Sequence, residues 1–191
     1  MPHKKIILAS QSPRRIELLQ QITTDFEVIP SAIEEIFDPQ RTPLENAVAL
    51  AVEKAQSVAR NHKGHIVLGA DTLVVLDGKI IGKPTDQNDA YQILKRLGGR
   101  EHQVITGVAI VNNSTFKDAA VSTVVIKPLT DEEIIRYIDT GEPMDKAGAY
   151  AIQGKGAFMV SSYRGSYTNI VGFPMETVKA LLHQAGYVLT D

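Results

Sequence analysis

Residues 66–84 read Ile66-Val67-Leu68-Gly69-Ala70-Asp71-Thr72-Leu73-Val74-Val75-Leu76-Asp77-Gly78-Lys79-Ile80-Ile81-Gly82-Lys83-Pro84. Apolar, β-branched residues on either side of Asp77-Gly78 describe strands joined by a two-residue turn, because this dipeptide accepts the positive φ angles such turns need. Asp71 does not fit a plain hairpin. It interrupts an apolar run, and an ionised carboxylate buried there without a partner costs several kcal/mol. A cation is therefore expected beside it. Lys83 follows the turn at about the separation by which Asp71 precedes it, so the hairpin returns the two to the same end. One reading is a structural ion pair; the other is a polar site built where the strands begin and end.

At 191 residues and net charge −2, the chain fits one large domain or two small lobes, with acidic and basic residues mixed along its length. That balance disfavours nucleic-acid binding by bulk charge and leaves room for a local basic pocket. There is no cysteine, which excludes disulfides, thiolate nucleophiles and cysteine-ligated metals. No apolar run approaches the roughly 20 residues of a membrane span. The apolar stretch after Lys5 ends at Ser10, too soon for a secretory signal, so a cytoplasmic protein is expected.

Outward from the hairpin, the most informative segment is near the start. Ile6 to Ala9 reads as a buried strand that leads into Ser10-Gln11-Ser12-Pro13-Arg14-Arg15 and a helix through about Gln21. Ser12 suits the N-cap and Pro13 the first helical position. Two arginines in the first turn conflict with the positive end of the helix dipole. A bound anion removes the conflict, since free N–H groups, serine hydroxyls and guanidinium forks all favour phosphate. The plain alternative is a solvated helix start.

Phe26 to Ile29 is expected as a second strand, followed by a loop to Thr42 that carries Glu34-Glu35. Adjacent carboxylates suit Mg²⁺ or Mn²⁺, though a wet surface explains them equally well. Thr42-Pro43-Leu44-Glu45 is a capping box, and Leu44, Ala47, Val48, Ala51, Ala55, Val58 and Ala59 form the apolar stripe of the helix it opens. Lys54 falls about 20° outside that stripe, placed either to snorkel or to reach an anion. Thr85 or Asp86 caps a helix to about Leu97. Val104 to Val111 and Thr123 to Ile126 read as strands, Thr130-Asp131-Glu132-Glu133 as a second capping box, Phe158 to Ser161 as a strand, and Met175 to about Gln184 as the last helix. Asp145 to Gly156 is studded with small residues, which implies close backbone approach to a ligand or another strand. Within it Gln153 carries an amide able both to donate and to accept, suited to a base edge or to loop backbone. The five histidines have no metal-ligand spacing.

Taken together, Leu8-Ala9-Ser10-x-Ser12-Pro13-Arg14-Arg15, Glu34-Glu35, Lys54-Ala55, Gly69-Ala70-Asp71-Thr72, Gly82-Lys83-Pro84, Thr106-Gly107-Val108, Asp145-Lys146-Ala147-Gly148-Ala149-Tyr150 and Val171-Gly172-Phe173-Pro174 resemble the Maf family of nucleoside triphosphate pyrophosphatases. The ordered set spans nearly the whole chain. The resemblance implies an α/β fold like that of inosine triphosphate pyrophosphatases: one domain over 1–191, in two lobes with a central cleft, on a long curved mixed sheet flanked by helices. It also implies a divalent cation (Mg²⁺ or Mn²⁺), no organic cofactor, a nucleoside triphosphate substrate and a homodimer. Arg14, Thr72 and Gln153 match the branch similar to dTTP/UTP pyrophosphatases. The acidic pair reads Glu34-Glu35 where Asp-Glu is usual, and Phe173 stands where leucine is usual.

The implied reaction is hydrolysis between the α- and β-phosphates. On this resemblance Asp71 takes the proton of the attacking water, with Lys54, Lys83 and bound Mg²⁺ expected to keep it ionised. Glu35, with Glu34 as the alternative, joins Asp71 in holding metal. Ser10, Arg15, Lys54 and Lys83 bind the triphosphate, and Arg14, Thr72 and Gln153 read the pyrimidine. Rival readings are a broader housekeeping pyrophosphatase for non-standard nucleotides and a non-enzymatic regulator of septum formation.

Overall fold

The computed structural model describes residues 5–188. Its strands are β1 (Ile6–Leu8), β2 (Phe26–Val28), β3 (Ile66–Leu76), β4 (Lys79–Ile81), β5 (Glu101–Val111), β6 (Thr115–Ile126) and β7 (Val160–Arg164). The helices are α1 (Pro13–Gln20), α2 (Pro43–Ala59), α3 (Gln87–Leu97), α4 (Asp131–Ile138), α5 (Tyr167–Val171) and α6 (Met175–Gln184). In hydrogen-bonding order the sheet runs β2-β1-β3-β5-β6-β7, with β4 paired to β3. β1 is parallel to both β2 and β3, whereas β4 and β7 pair antiparallel, so the sheet is mixed.

The chain divides into two compact units. The first comprises Met1–Asp71, Thr106–Ala120 and Gly172–Asp191; the second comprises Thr72–Ile105 and Val121–Val171. In the first unit α2 lies against β1, β3 and β5, burying Ala51, Ala55 and Val58 with Ile7, Ala9, Val67, Ala109 and Val111. The approach is close because two strand positions lack side chains. A Cβ on Gly69 would sit 2.8 Å from Ala55 N and against the Ala51 carbonyl; one on Gly107 would sit 2.6 Å from Val48 N and against the Ala47 carbonyl. Helix and strand backbones touch at both points.

The expected capping box at Thr42 is present and starts α2 at Pro43. The buried face differs from the expected stripe. Leu44 is exposed, while Asn46, Leu50 and Lys54 are buried with the alanines. Asn46 explains part of the rotation. Its amide donates to the Asp38, Arg41 and Thr42 carbonyls and accepts from the Asp38 N–H, drawing the preceding loop onto this side of the helix.

In the second unit the Asp77-Gly78 turn forms as expected, with φ of 51° and 74° and Leu76 opposite Lys79. Asp86, not Thr85, is the N-cap of α3, accepting from the Asp89 N–H. Thr130 caps α4 through the second capping box. Several elements depart from expectation. β5 begins at Glu101 and β6 at Thr115, both well before the apolar segments that suggested them. Phe158 lies inside a 3₁₀ segment, Gly154–Met159, and the strand starts only at Val160. The short helix α5 was not foreseen. The small residues of segment 145–156 do approach other groups closely, and at three positions these are side chains of the same unit: Val74 at Gly148, Glu142 at Gly154 and Tyr137 at Gly156. No helix among the described residues is long and apolar enough to cross a membrane.

Candidate active site

Strand alternation aims Asp71 at α2. Gly69 faces that helix, and two residues on, the side chain of Asp71 leaves the strand on the same side. There Lys54 Nζ donates to Asp71 Oδ1 at 2.6 Å and meets Glu35 Oε1 at 2.7 Å. The three side chains differ sharply in exposure: 6% for Asp71, 11% for Lys54 and 43% for Glu35. One ammonium thus joins a buried carboxylate to a half-exposed one.

Glu35 reaches this position because its loop is tied to α2 on both sides. Ser31 Oγ and Ser57 Oγ are 3.0 Å apart, and Asn46 holds Asp38. Glu34 is exposed and is not part of the ion-pair group. Asp71 Oδ2 is buried and has no hydrogen-bond partner among the described residues.

At Asp71 burial and the neighbouring cations act in opposite directions. Burial raises its carboxyl above the ordinary value of 3.8; Lys54 is the main opposing influence, through charge and hydrogen bond, followed by Arg15. Desolvation outweighs the cations because the carboxylate is removed from water on nearly all sides.

Ser10 and Arg15 form the second part of the site. Ser10 Oγ accepts from the Ser12 N–H at 3.2 Å and from Arg15 at 3.3 Å. Ser12 occupies the N-cap of α1, but its hydroxyl makes no cap bond, and no acidic residue lies in the first turn. The Arg15 Nε donates to the Gly172 carbonyl at 2.9 Å, fixing the guanidinium plane. Burial lowers the Arg15 pKa, the charge of Asp71 raises it, neighbouring Arg14 lowers it and Glu35 raises it. The guanidinium keeps its charge, since arginine does not deprotonate in proteins. The structure therefore gathers Ser10, Arg15, Glu35, Lys54 and Asp71 within the first unit, with half-buried Arg14 beside them.

The remaining expected site residues belong to the second unit. Thr72 opens its first segment on β3 and is half-buried. Lys83 is exposed just past β4, beyond the last paired residues Val74 and Ile81. Gln153 is exposed immediately before the Gly154–Met159 segment. The hydrogen bond from the Gly148 N–H to the Gly82 carbonyl (3.1 Å) ties the Asp145–Tyr150 motif to the residue before Lys83. His102, buried on β5, pairs with Tyr150 Oη at 2.6 Å. Burial lowers its pKa to about 4, leaving the imidazole neutral at physiological pH.

Sequence reasoning missed the Gly172 carbonyl, which anchors Arg15 from far along the chain, and the Glu142 and Tyr137 side chains that pack against Gly154 and Gly156. The glycines at 154 and 156 were the available signal, but they did not say what approaches.

No group of three or more His, Asp or Glu side chains arranged to hold a metal occurs among the described residues. Two carboxylates, Glu35 and Asp71, do converge on Lys54, and Asp71 Oδ2 has no partner among the described residues. That donor set fits a hard divalent cation, which commonly takes one or two carboxylates and completes its shell with phosphate oxygens and water.

Fold and site define an α/β protein with a buried carboxylate–ammonium centre beside an arginine-bearing helix start. The Maf-like protein family model matches residues 5–185, and the chain belongs to that family. It is 50% identical over 190 residues to a dTTP/UTP pyrophosphatase from Dictyoglomus turgidum, covering 97% of this chain and 98% of the relative. It is 45% identical over 193 residues to the dTTP/UTP pyrophosphatase of Caldicellulosiruptor saccharolyticus, covering 97% of both. Among solved structures, the Staphylococcus aureus Ham1 protein shares the fold at a TM-score of 0.50 and 19% identity, covering 95% of this chain and 90% of that one. A HAM1 protein from Coxiella burnetii superposes at a TM-score of 0.50 and 18% identity, covering 95% and 100%.

Proposed function

We propose that this protein hydrolyses dTTP and UTP to the nucleoside monophosphate and pyrophosphate. The observation that carries the reading is the single ammonium of Lys54 holding buried Asp71 and half-exposed Glu35 together. A structural ion pair needs one carboxylate; two on one lysine, with an unengaged oxygen left on the buried one, form a site prepared for water and phosphate.

In this mechanism Asp71 Oδ1 stays on Lys54, while Oδ2 accepts the proton of the attacking water. The water oxygen bonds to phosphorus, the bridging P–O bond between the α- and β-phosphates breaks, and pyrophosphate leaves with the bond's electron pair. The raised pKa of Asp71 makes its carboxylate a stronger base than that of a solvated aspartate. Arg15, Ser10 and Lys54 stabilise charge on the phosphate oxygens, and Lys83 adds a further cation. Glu35 and Asp71 would hold Mg²⁺ or Mn²⁺, which when bound neutralises phosphate charge and polarises water. Arg14, Thr72 and Gln153 read the pyrimidine through hydrogen bonds. The working form is taken to be a cytoplasmic homodimer, which light scattering on the purified protein tests.

The decisive experiment is a panel of nucleoside triphosphates with pyrophosphate detection, with and without Mg²⁺ or Mn²⁺. dTTP and UTP are expected to lead. Preference for inosine or xanthosine triphosphate would favour the housekeeping reading, and no turnover of any nucleotide would leave septum regulation. Gln153→Ala should lower the preference for uracil and thymine roughly tenfold, since an unpaired polar group costs about 1–3 kcal/mol. Equal loss on all nucleotides would remove Gln153 from base reading.

The pH profile gives a separate check. The acid limb of kcat/KM should lie above 3.8, because the free enzyme must lose the Asp71 proton. Lys54→Met removes the main influence lowering that pKa and should move the limb to higher pH. An unmoved limb would mean another group governs it.

A further inference from the structure

Beneath Gln153, within the second unit, lies a small buried polar cluster that the reaction does not use. Glu142 begins a 3₁₀ turn after α4, and both its backbone groups are held: its N–H donates to Thr140 Oγ1 at 3.2 Å, and its carbonyl accepts from Lys146 Nζ at 2.9 Å. Its carboxylate turns under segment 154–156. Oε1 accepts from the Lys155 N–H at 3.2 Å and lies where a Cβ on Gly154 would be. Gly154 has φ of 71°, so it is the residue type this turn requires on both counts. Glu142 Oε2 and Tyr137 Oη are both buried, and the carboxylate acts on the hydroxyl through charge and hydrogen bond. Burial, then the Glu142 charge, pushes the Tyr137 hydroxyl pKa up.

Tyr137, on α4, closes the other side of the segment. A Cβ on Gly156 would be 2.7 Å from its hydroxyl and 2.8 Å from the Ala151 carbonyl, and its ring meets Phe158 edge-on with centroids 6.3 Å apart. Residues 151 and 152 are buried before Gln153; Gly156 is buried after it. Gln153 is thus an exposed residue whose two flanks are both fastened.

We propose that Glu142 is the positioning residue for Gln153: its carboxylate fixes the Gly154-Lys155 turn and so sets the direction of the Gln153 amide toward the base. This rests on the reading of Gln153 as the base-recognising residue. A carboxylate kept under a turn is costly as packing alone, whereas an apolar side chain would fill the space without the desolvation. Its use is directional: the charged acceptor locks one N–H and therefore one backbone orientation.

The test compares kcat/KM for UTP with that for GTP in the full-length enzyme. Glu142→Ala should lower this ratio about tenfold, through KM for UTP, with kcat held, because the groups acting on phosphate are untouched. Glu142→Gln, which still offers an oxygen to the Lys155 N–H, should restore most of the ratio. Gly154→Ala, which drives a Cβ into the same carboxylate, must lower it too and serves if Glu142→Ala fails to fold. In a Gln153→Ala background, Glu142→Ala should change the ratio no further. An unchanged ratio in Glu142→Ala, while Gln153→Ala lowers it, overturns the positioning role and leaves base reading intact. Equal loss of kcat on both nucleotides, not rescued by glutamine, overturns it in favour of a purely structural carboxylate. An unchanged ratio in Gln153→Ala overturns the underlying reading and this proposal with it.

Discussion

Asp71→Asn is expected to lower kcat by about a hundredfold to ten-thousandfold, the range a positioned general base contributes. Asparagine preserves the shape and can still accept from Lys54, but it cannot take a proton from water. The fold should survive. Because the folded protein raises the Asp71 pKa, its contribution to stability is present only below the unfolded carboxyl pKa and is lost as pH rises through the folded one. Ionising this buried side chain therefore costs the fold stability, so the neutral variant should melt no more than a few degrees below the parent. Thermal unfolding and single-turnover pyrophosphate release separate the two effects. A variant that turns over normally would remove Asp71 from the role of base; one that fails to fold would mean that the carboxylate holds the core together.

The second large effect is expected at Gly107. Alanine there places a Cβ 2.6 Å from Val48 N and against the Ala47 carbonyl, and backbone cannot move aside as a flexible side chain can. Overpacking against backbone in a dense core costs about 3 kcal/mol or more, at the upper end for such changes. For a chain of this size that lowers the melting temperature by roughly 6–12 °C. Any relief requires α2 to shift, and α2 carries Lys54, so activity should fall even where the protein remains folded. Gly64→Ala is the control. Nothing lies within 4 Å of its added Cβ, although its φ of 87° strains alanine. That strain costs only about 1–2 kcal/mol. Gly107 has no positive φ, so destabilisation no greater than that of Gly64→Ala would show that α2 yields and that close packing does not make glycine necessary at Gly107.

How much of this was legible depended on whether the cause was local. The Asp77-Gly78 turn and the capping boxes at Thr42 and Thr130 formed where their residues pointed, because each satisfies its own backbone within a few positions. Strand length was not local. Phe116, Lys117 and Asp118 look like loop, yet they extend β6 because a neighbouring strand accepts them. Phe158 looked like the start of a strand, but the glycines before it wrap the chain into a 3₁₀ turn over Tyr137. In the candidate site, the conflict between charge and apolar context marked Asp71 correctly as a residue in need of a cation. Helical spacing left Lys54 at the margin because it could not register that Asn46 turns the buried face. Arg15's grip on Gly172 was beyond any sequence window, since it joins residues 157 positions apart.

The first unit is assembled from three stretches of chain, and the last of these, from Gly172 onward, supplies both α6 and the carbonyl that holds Arg15. During synthesis the residues proposed to grip phosphate emerge early, yet their scaffold is unfinished until the stretch from Gly172 has been made. A prematurely terminated product ending before Gly172 would carry every acidic and basic group assigned to hydrolysis and still lack the piece that orients them. Such fragments are expected to be inert toward cellular nucleotide pools, a safeguard that follows from chain order alone.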